Sequence, residues 1–104
     1  MSLYPDRKEF EQPVWQTLTA ATYQSTSPNQ RIQASATDQF VKGCLAKAGI
    51  ANSGTVYLGG SGITAADGFP LRAGETLSLT INNLSILYMF FQTSGDSLVV
   101  LTGQ

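Results

Sequence analysis

Residues 85 to 101 hold two runs that are apolar on both faces. In Ser85-Ile86-Leu87-Tyr88-Met89-Phe90-Phe91-Gln92, Ile86, Tyr88 and Phe90 alternate with Leu87, Met89 and Phe91, and Ser97-Leu98-Val99-Val100-Leu101 follows the same rule. Runs this short, rich in aromatic and β-branched residues, are strands with two sides to cover. Thr93-Ser94-Gly95-Asp96 between them predicts a hairpin turn. One face of that hairpin is expected to fill the core. Fully burying a side chain of this size is worth about 1.5–3 kcal/mol, so leaving the other face in water would create an aggregation-prone patch. Either the N-terminal segment covers it or a second copy of the chain does. The short, charge-poor chain favours the second copy, which makes Leu87, Met89, Phe91, Val99 and Leu101 the expected self-association residues.

Other strands read in the same way. Thr76, Ser78 and Thr80 alternate with Leu77, Leu79 and Ile81, the mark of a half-buried strand with a wet outer face. Ala73-Gly74-Glu75 turns into it and Asn82-Asn83 closes it. Thr55 to Leu58 is a short strand, and Asn52-Ser53-Gly54 before it is a turn. Residues 40 to 48 predict a strand with Cys44, Ala46 and Ala48 on one side and Leu45 and Lys47 on the other. A helix over 37 to 50 competes, because Ala, Leu and Lys favour helix; Gly43 and the lack of a helical stripe count against it. A short strand surrounds Ile32, the cluster Ser25 to Gln30 is a turn, and residues 14 to 23 form a first strand. Gly59, Gly60 and Gly62 open a loop running to Phe69-Pro70, where glycine permits positive φ or close chain approach and Phe69 is expected to plug the loop. Short strands at 8–12-residue spacing indicate a sandwich or small barrel. The fold class is therefore all-β, a small jelly-roll-like β-sandwich or barrel preceded by an extended N-terminal arm: residues 1–27 as arm and first strand, residues 28–104 as sandwich.

The arm stands apart in composition. Asp6, Arg7, Lys8, Glu9 and Glu11 are five of the thirteen charged residues in a chain of 104. Tyr4, Phe10 and Trp15 are apolar anchors in this polar stretch, suited to lying on a neighbouring subunit. Elsewhere charge is sparse, 12% overall against about 25% in an ordinary domain. Short neutral polar groups resist close packing less than Lys and Glu do, and interfaces are depleted in the same residues. A net charge of −1 with no basic stripe argues against nucleic acid as a partner. No apolar run reaches the roughly 18 residues of a membrane span. The first residues lack a signal peptide's basic and apolar regions, and a reducing or neutral compartment is expected.

Chemistry finds little footing. With no histidine, a Ser-His-Asp or Cys-His arrangement cannot form, and with a single cysteine neither can the common zinc sites. No cofactor is expected. Asp67 and Glu75 are the nearest thing to a carboxylate pair and read better as loop and turn residues. Gly59-Gly60-Ser61-Gly62 lacks the ending and the helix of a phosphate loop. Asp38, Asp67 and Asp96 do not make a calcium-loop spacing. Cys44, in an apolar context, reads as a small core residue. Trp15, Tyr23, Tyr57 and Tyr88 are able to stack on sugars but are dispersed, as core or interface aromatics are.

Two stretches carry a resemblance. Asn52-Ser53-Gly54-Thr55-Val56-Tyr57-Leu58-Gly59-Gly60-Ser61-Gly62-Ile63-Thr64, and Gly68-Phe69-Pro70-Leu71-Arg72-Ala73-Gly74-Glu75 with the strand after it and then Asn83-Leu84 with Ile86 and Tyr88, resemble small bacteriophage virion proteins. The likeness covers about residues 40 to 104. It implies a compact β-sandwich of the capsid-decorating (cement) or head-fibre type, commonly a homotrimer, made in the host cytoplasm and placed on the capsid surface against the major capsid protein. Residues 1 to 30 lie outside it, in the region such proteins use for anchoring. The alternative is a tail- or fibre-associated module that recognises host-surface glycans. Neither implies an enzyme.

Overall fold

Period-two alternation sorts each strand's side chains between water and a shared interior, and pairing does the rest. The computed structural model describes residues 18–103, an all-β arrangement of two four-stranded antiparallel sheets. The strands are β1 Leu18–Gln24, β2 Gln30–Gln33, β3 Gly43–Ala48, β4 Val56–Gly59, β5 Phe69–Leu71, β6 Thr76–Leu79, β7 Tyr88–Phe91 and β8 Ser97–Gly103, with a 3-10 turn at Leu84–Ile86. One sheet has the order β1-β8-β3-β6 and the other β2-β7-β4-β5. The sheets pack as a sandwich. The first contributes Cys44, Ala46, Ala48, Leu98 and Val100 to the core and the second Val56, Leu58, Leu71, Met89 and Phe91.

The alternation read at residues 40 to 48 holds. Cys44, Ala46 and Ala48 are buried, Leu45 and Lys47 are exposed, and no helix forms there. Small residues on the inner side let β3 lie close to the opposite sheet. The pattern at 76 to 81 holds as well, with Leu77, Leu79 and Ile81 packed on the core, although the paired strand stops at Leu79.

The predicted hairpin at 85 to 101 does not form. β7 pairs with β2 and β4, β8 pairs with β1 and β3, and Thr93 to Asp96 carries the chain from one sheet to the other. Both strands are central in their sheets. This also corrects the expected self-association face. Leu87, Met89 and Phe91 are 4%, 0% and 0% exposed, taken up by the chain's own core and unable to meet a second copy. The outward residues of the same two strands, Tyr88, Phe90, Val99 and Leu101, are half-buried.

The loop after β4 also differs from expectation. Phe69 is 53% exposed, whereas Ile63 is 5% exposed and fills the loop. Ile63 packs against Gly59, and a Cβ on Gly68 would lie 2.8 Å from its Cδ1, so close approach is what these glycines allow. Positive φ occurs elsewhere, at Gly74 (78°) and Gly95 (89°). Residues 69–71, expected to end the loop, pair with β4 as β5, with Pro70 at its centre.

Candidate interaction surfaces

Strand register decides which outward side chains become neighbours. On the outer face of the β1-β8-β3-β6 sheet, Leu101 lies opposite Ala20 on one side and Leu45 on the other, and Leu18 lies opposite Gly103. Val99, one outward position along β8, lies between Thr22 and Lys47. The result is an apolar strip of Leu18, Ala20, Leu45, Val99 and Leu101 crossing three strands. Leu18 is 60% and Leu45 39% exposed. Beside Leu45 and Leu101 the surface dips into a groove of about 450 Å³, where Gly43 contributes no side chain and Lys42 brings a charge.

Of the five residues expected to self-associate, Val99 and Leu101 are thus half-buried on this strip, while Leu87, Met89 and Phe91 are inside. Tyr4, Phe10 and Trp15 lie outside the described residues. Leu18, Ala20 and Leu45 were not singled out by the sequence. Leu45 was legible as outward by alternation, but its adjacency to Leu101 depends on two strands more than fifty residues apart in the chain.

The outer face of the other sheet is different. Register sets Arg31, Phe90, Tyr57 and Pro70 in one row across its four strands. Tyr57 and Phe90 meet at 6.5 Å between ring centroids, tilted by 55°. Tyr88 lies one outward position along β7, between Gln33 and Gly59. Arg31 is held in place by donating from Nε to the Ile63 carbonyl at 2.9 Å. Tyr23 is not part of any platform: its hydroxyl donates to the Ala34 carbonyl at 2.7 Å, and burial, reinforced by nearby Cys44, pushes its pKa up.

A third feature is a slit between the free edges of β5 and β6, about 420 Å³ and lined almost wholly by carbon from Leu58, Phe69, Leu77, Leu79, Ile86 and Leu87. Phe69 and Ile86 stand at its mouth, each more than half exposed.

The carboxylates have local tasks. Asp67 accepts hydrogen bonds from the Thr64 backbone N–H and hydroxyl, both at 3.0 Å. The Thr64 backbone bond is the main reason its carboxyl titrates below the usual range. Glu75 accepts from the Arg72 N–H at 2.8 Å and closes the Gly74 turn. Asp96 is buried and accepts from the Ser53 and Gly54 N–H groups at 3.0 and 2.8 Å. Asp38 accepts from the Asn83 side-chain amide at 3.1 Å. Cys44 is buried, and desolvation pushes its thiol up. Among the described residues, no three Cys, Asp or Glu side chains converge to hold a metal ion, and no helix is long and apolar enough to cross a membrane.

Set beside known proteins, this chain matches no family model, no curated protein and no solved structure.

Proposed function

We propose that the chain is a bacteriophage virion structural protein, an auxiliary capsid protein of the decoration or cement type, which stabilises the head by bridging subunits of the major capsid protein. It acts by packing and not by catalysis. The observation that carries this reading is the strand order. Eight antiparallel strands ordered β1-β8-β3-β6 over β2-β7-β4-β5 support a jelly roll, the two-sheet architecture that recurs in viral capsid proteins. The charge-poor apolar strip on the first sheet supports burial against another protein as the working mechanism. The N-terminal arm, with Tyr4, Phe10 and Trp15, is the proposed anchor. The protein then sits on the capsid surface after synthesis in the host cytoplasm.

Binding to shells assembled from the major capsid protein of the same particle tests the proposal. The purified chain should co-sediment with the shells and raise the temperature at which they come apart. A chain that stays in the supernatant counts against it. Deleting residues 1 to 12 should weaken attachment and leave the β circular dichroism unchanged; unchanged binding would remove the arm from the mechanism.

One observation favours a second reading. Jelly rolls also carry lectins, and Tyr57, Phe90 and Tyr88 share the outer face of the second sheet with Gln33, Gln92 and Arg31. A glycan-recognising module of the tail or fibre would use that face. Retention on a glycan array that is lost in Tyr57→Ala, together with location on the tail of purified particles, would favour it over the capsid reading.

A further inference from the structure

Each sheet ends in two edge strands, and the four edges are unlike one another. β2 and β6 have four residues each, and β5 has three, with Pro70 in its middle. β1, Leu-Thr-Ala-Ala-Thr-Tyr-Gln, has seven residues, no charge, no proline and no glycine. Its residues Leu18, Thr19, Ala20, Thr22 and Gln24 are exposed, and among the described residues no strand pairs with its free edge. Such an edge presents a row of backbone donors and acceptors that another extended strand satisfies. Sheets ordinarily blunt long edges with lysine, proline or a bulge. β1 has none of these.

We infer that β1 is a subunit interface, in which β1 of a second copy pairs with it antiparallel about a two-fold axis at Ala21, joining two four-stranded sheets into one of eight. The occupant is a second copy because the strand is complementary to itself. With Ala21 on the axis, all seven residues are paired: Leu18 of one copy faces Gln24 of the other, Thr19 faces Tyr23, and Ala20 faces Thr22. The outward set meets the outward set and the inward set meets the inward set, as pleating requires. No pair opposes like charges, and Thr19 with Tyr23 is an aromatic–β-branched pair of the kind that stabilises sheets. The apolar strip of Leu18, Ala20, Leu101 and Leu45 then runs on across the junction into its symmetry mate. The pairing goes beyond the capsid reading and does not depend on it: a chain that pairs in solution but ignores capsid shells keeps the one and loses the other.

Sedimentation equilibrium of the full chain and two double variants tests the interface and its register. The wild type should reach twice the monomer mass. A20K/T22K sets lysine opposite lysine twice and should sediment as a monomer at concentrations where the wild type is dimeric. A20K/T22E sets lysine opposite glutamate twice in the same register and should remain a dimer. A monomeric or trimeric wild type, or two doubles of equal mass, would overturn the proposal. Should the lysine double fail to fold, amide exchange of the wild type decides: the β1 amides that face away from β8 should be protected at high concentration and lose that protection on dilution, and fast exchange of those amides at all concentrations would overturn it.

Discussion

Ile63 shows how a single side chain organises a loop whose composition is otherwise glycine and alanine. It is 5% exposed and is boxed by Gly59 and Gly68. Ile63→Ala should cost about 2–5 kcal/mol in denaturant unfolding, whereas Phe69→Ala, at a half-exposed site, should cost about 1 kcal/mol or less. A larger loss at Phe69 would reverse the assignment of the plug. Asp96 works differently. Its carboxylate holds the turn before β4 to the start of β8 through two backbone N–H donors. Asp96→Ala removes a buried acceptor from two part-buried N–H donors and should cost about 1–2 kcal/mol. At Cys44 burial favours the neutral thiol, so a thiol reagent at neutral pH should label the protein at the rate of its unfolding. Tyr23 shifts in the same direction. Raised folded values mean that stability is full below the ordinary thiol and phenol ranges and falls as pH rises through them. Thermal melts on the alkaline side should show that decline, and Cys44→Ala should lessen it.

At the level of elements, the glycines divide by what they do. Gly74 sits at φ 78° in the turn from β5 to β6 and Gly95 at φ 89° in the crossover from β7 to β8. An alanine at either position is strained and should destabilise by about 1 kcal/mol. Gly60 and Gly62 have ordinary φ and open space around them. Alanine there should be neutral or stabilise by up to about 1 kcal/mol, because it restricts the unfolded chain. Equal losses at all four sites in denaturant titrations would contradict this division. The turn at Gly74 was legible in the sequence, since Ala73-Gly74-Glu75 between two apolar runs demands a left-handed residue. β5 was not: proline is unusual in a strand, and Phe69 to Leu71 pairs only because an edge position leaves Pro70 no hydrogen bond to supply.

For the whole molecule, the pairing of β1 with β8 joins Leu18 to Gly103, the first and last of the described residues. β2 with β7 and β3 with β8 are also distant in sequence. Pairings of this kind are closed at high entropic cost, so stopped-flow refolding should proceed in milliseconds to seconds, not microseconds. Val99 and Leu101 belong to this scale as well. They are central in the first sheet yet only half-buried, and Leu101→Lys should abolish any association that uses the strip while leaving Leu98 and Val100 in the core. A Leu101→Lys chain with wild-type shell binding would clear the strip of a role.

Strand class, turn positions and the inner face of β3 were written in local alternation, because a two-residue period exposes one side of a pleated chain whatever lies beside it. The absence of histidine and the single cysteine bounded the chemistry equally locally. Which strand lies beside which was not local information. Residues 85 to 101 announced two strands apolar on both faces, and two strands form there. A four-residue turn between them suggested a hairpin, yet the same turn can cross between sheets, and only the competition among eight strands for core contacts selects the crossing. That choice buries Leu87, Met89 and Phe91, leaves Val99 and Leu101 beside Leu45 on an outer face, and puts an uncharged seven-residue strand at an edge.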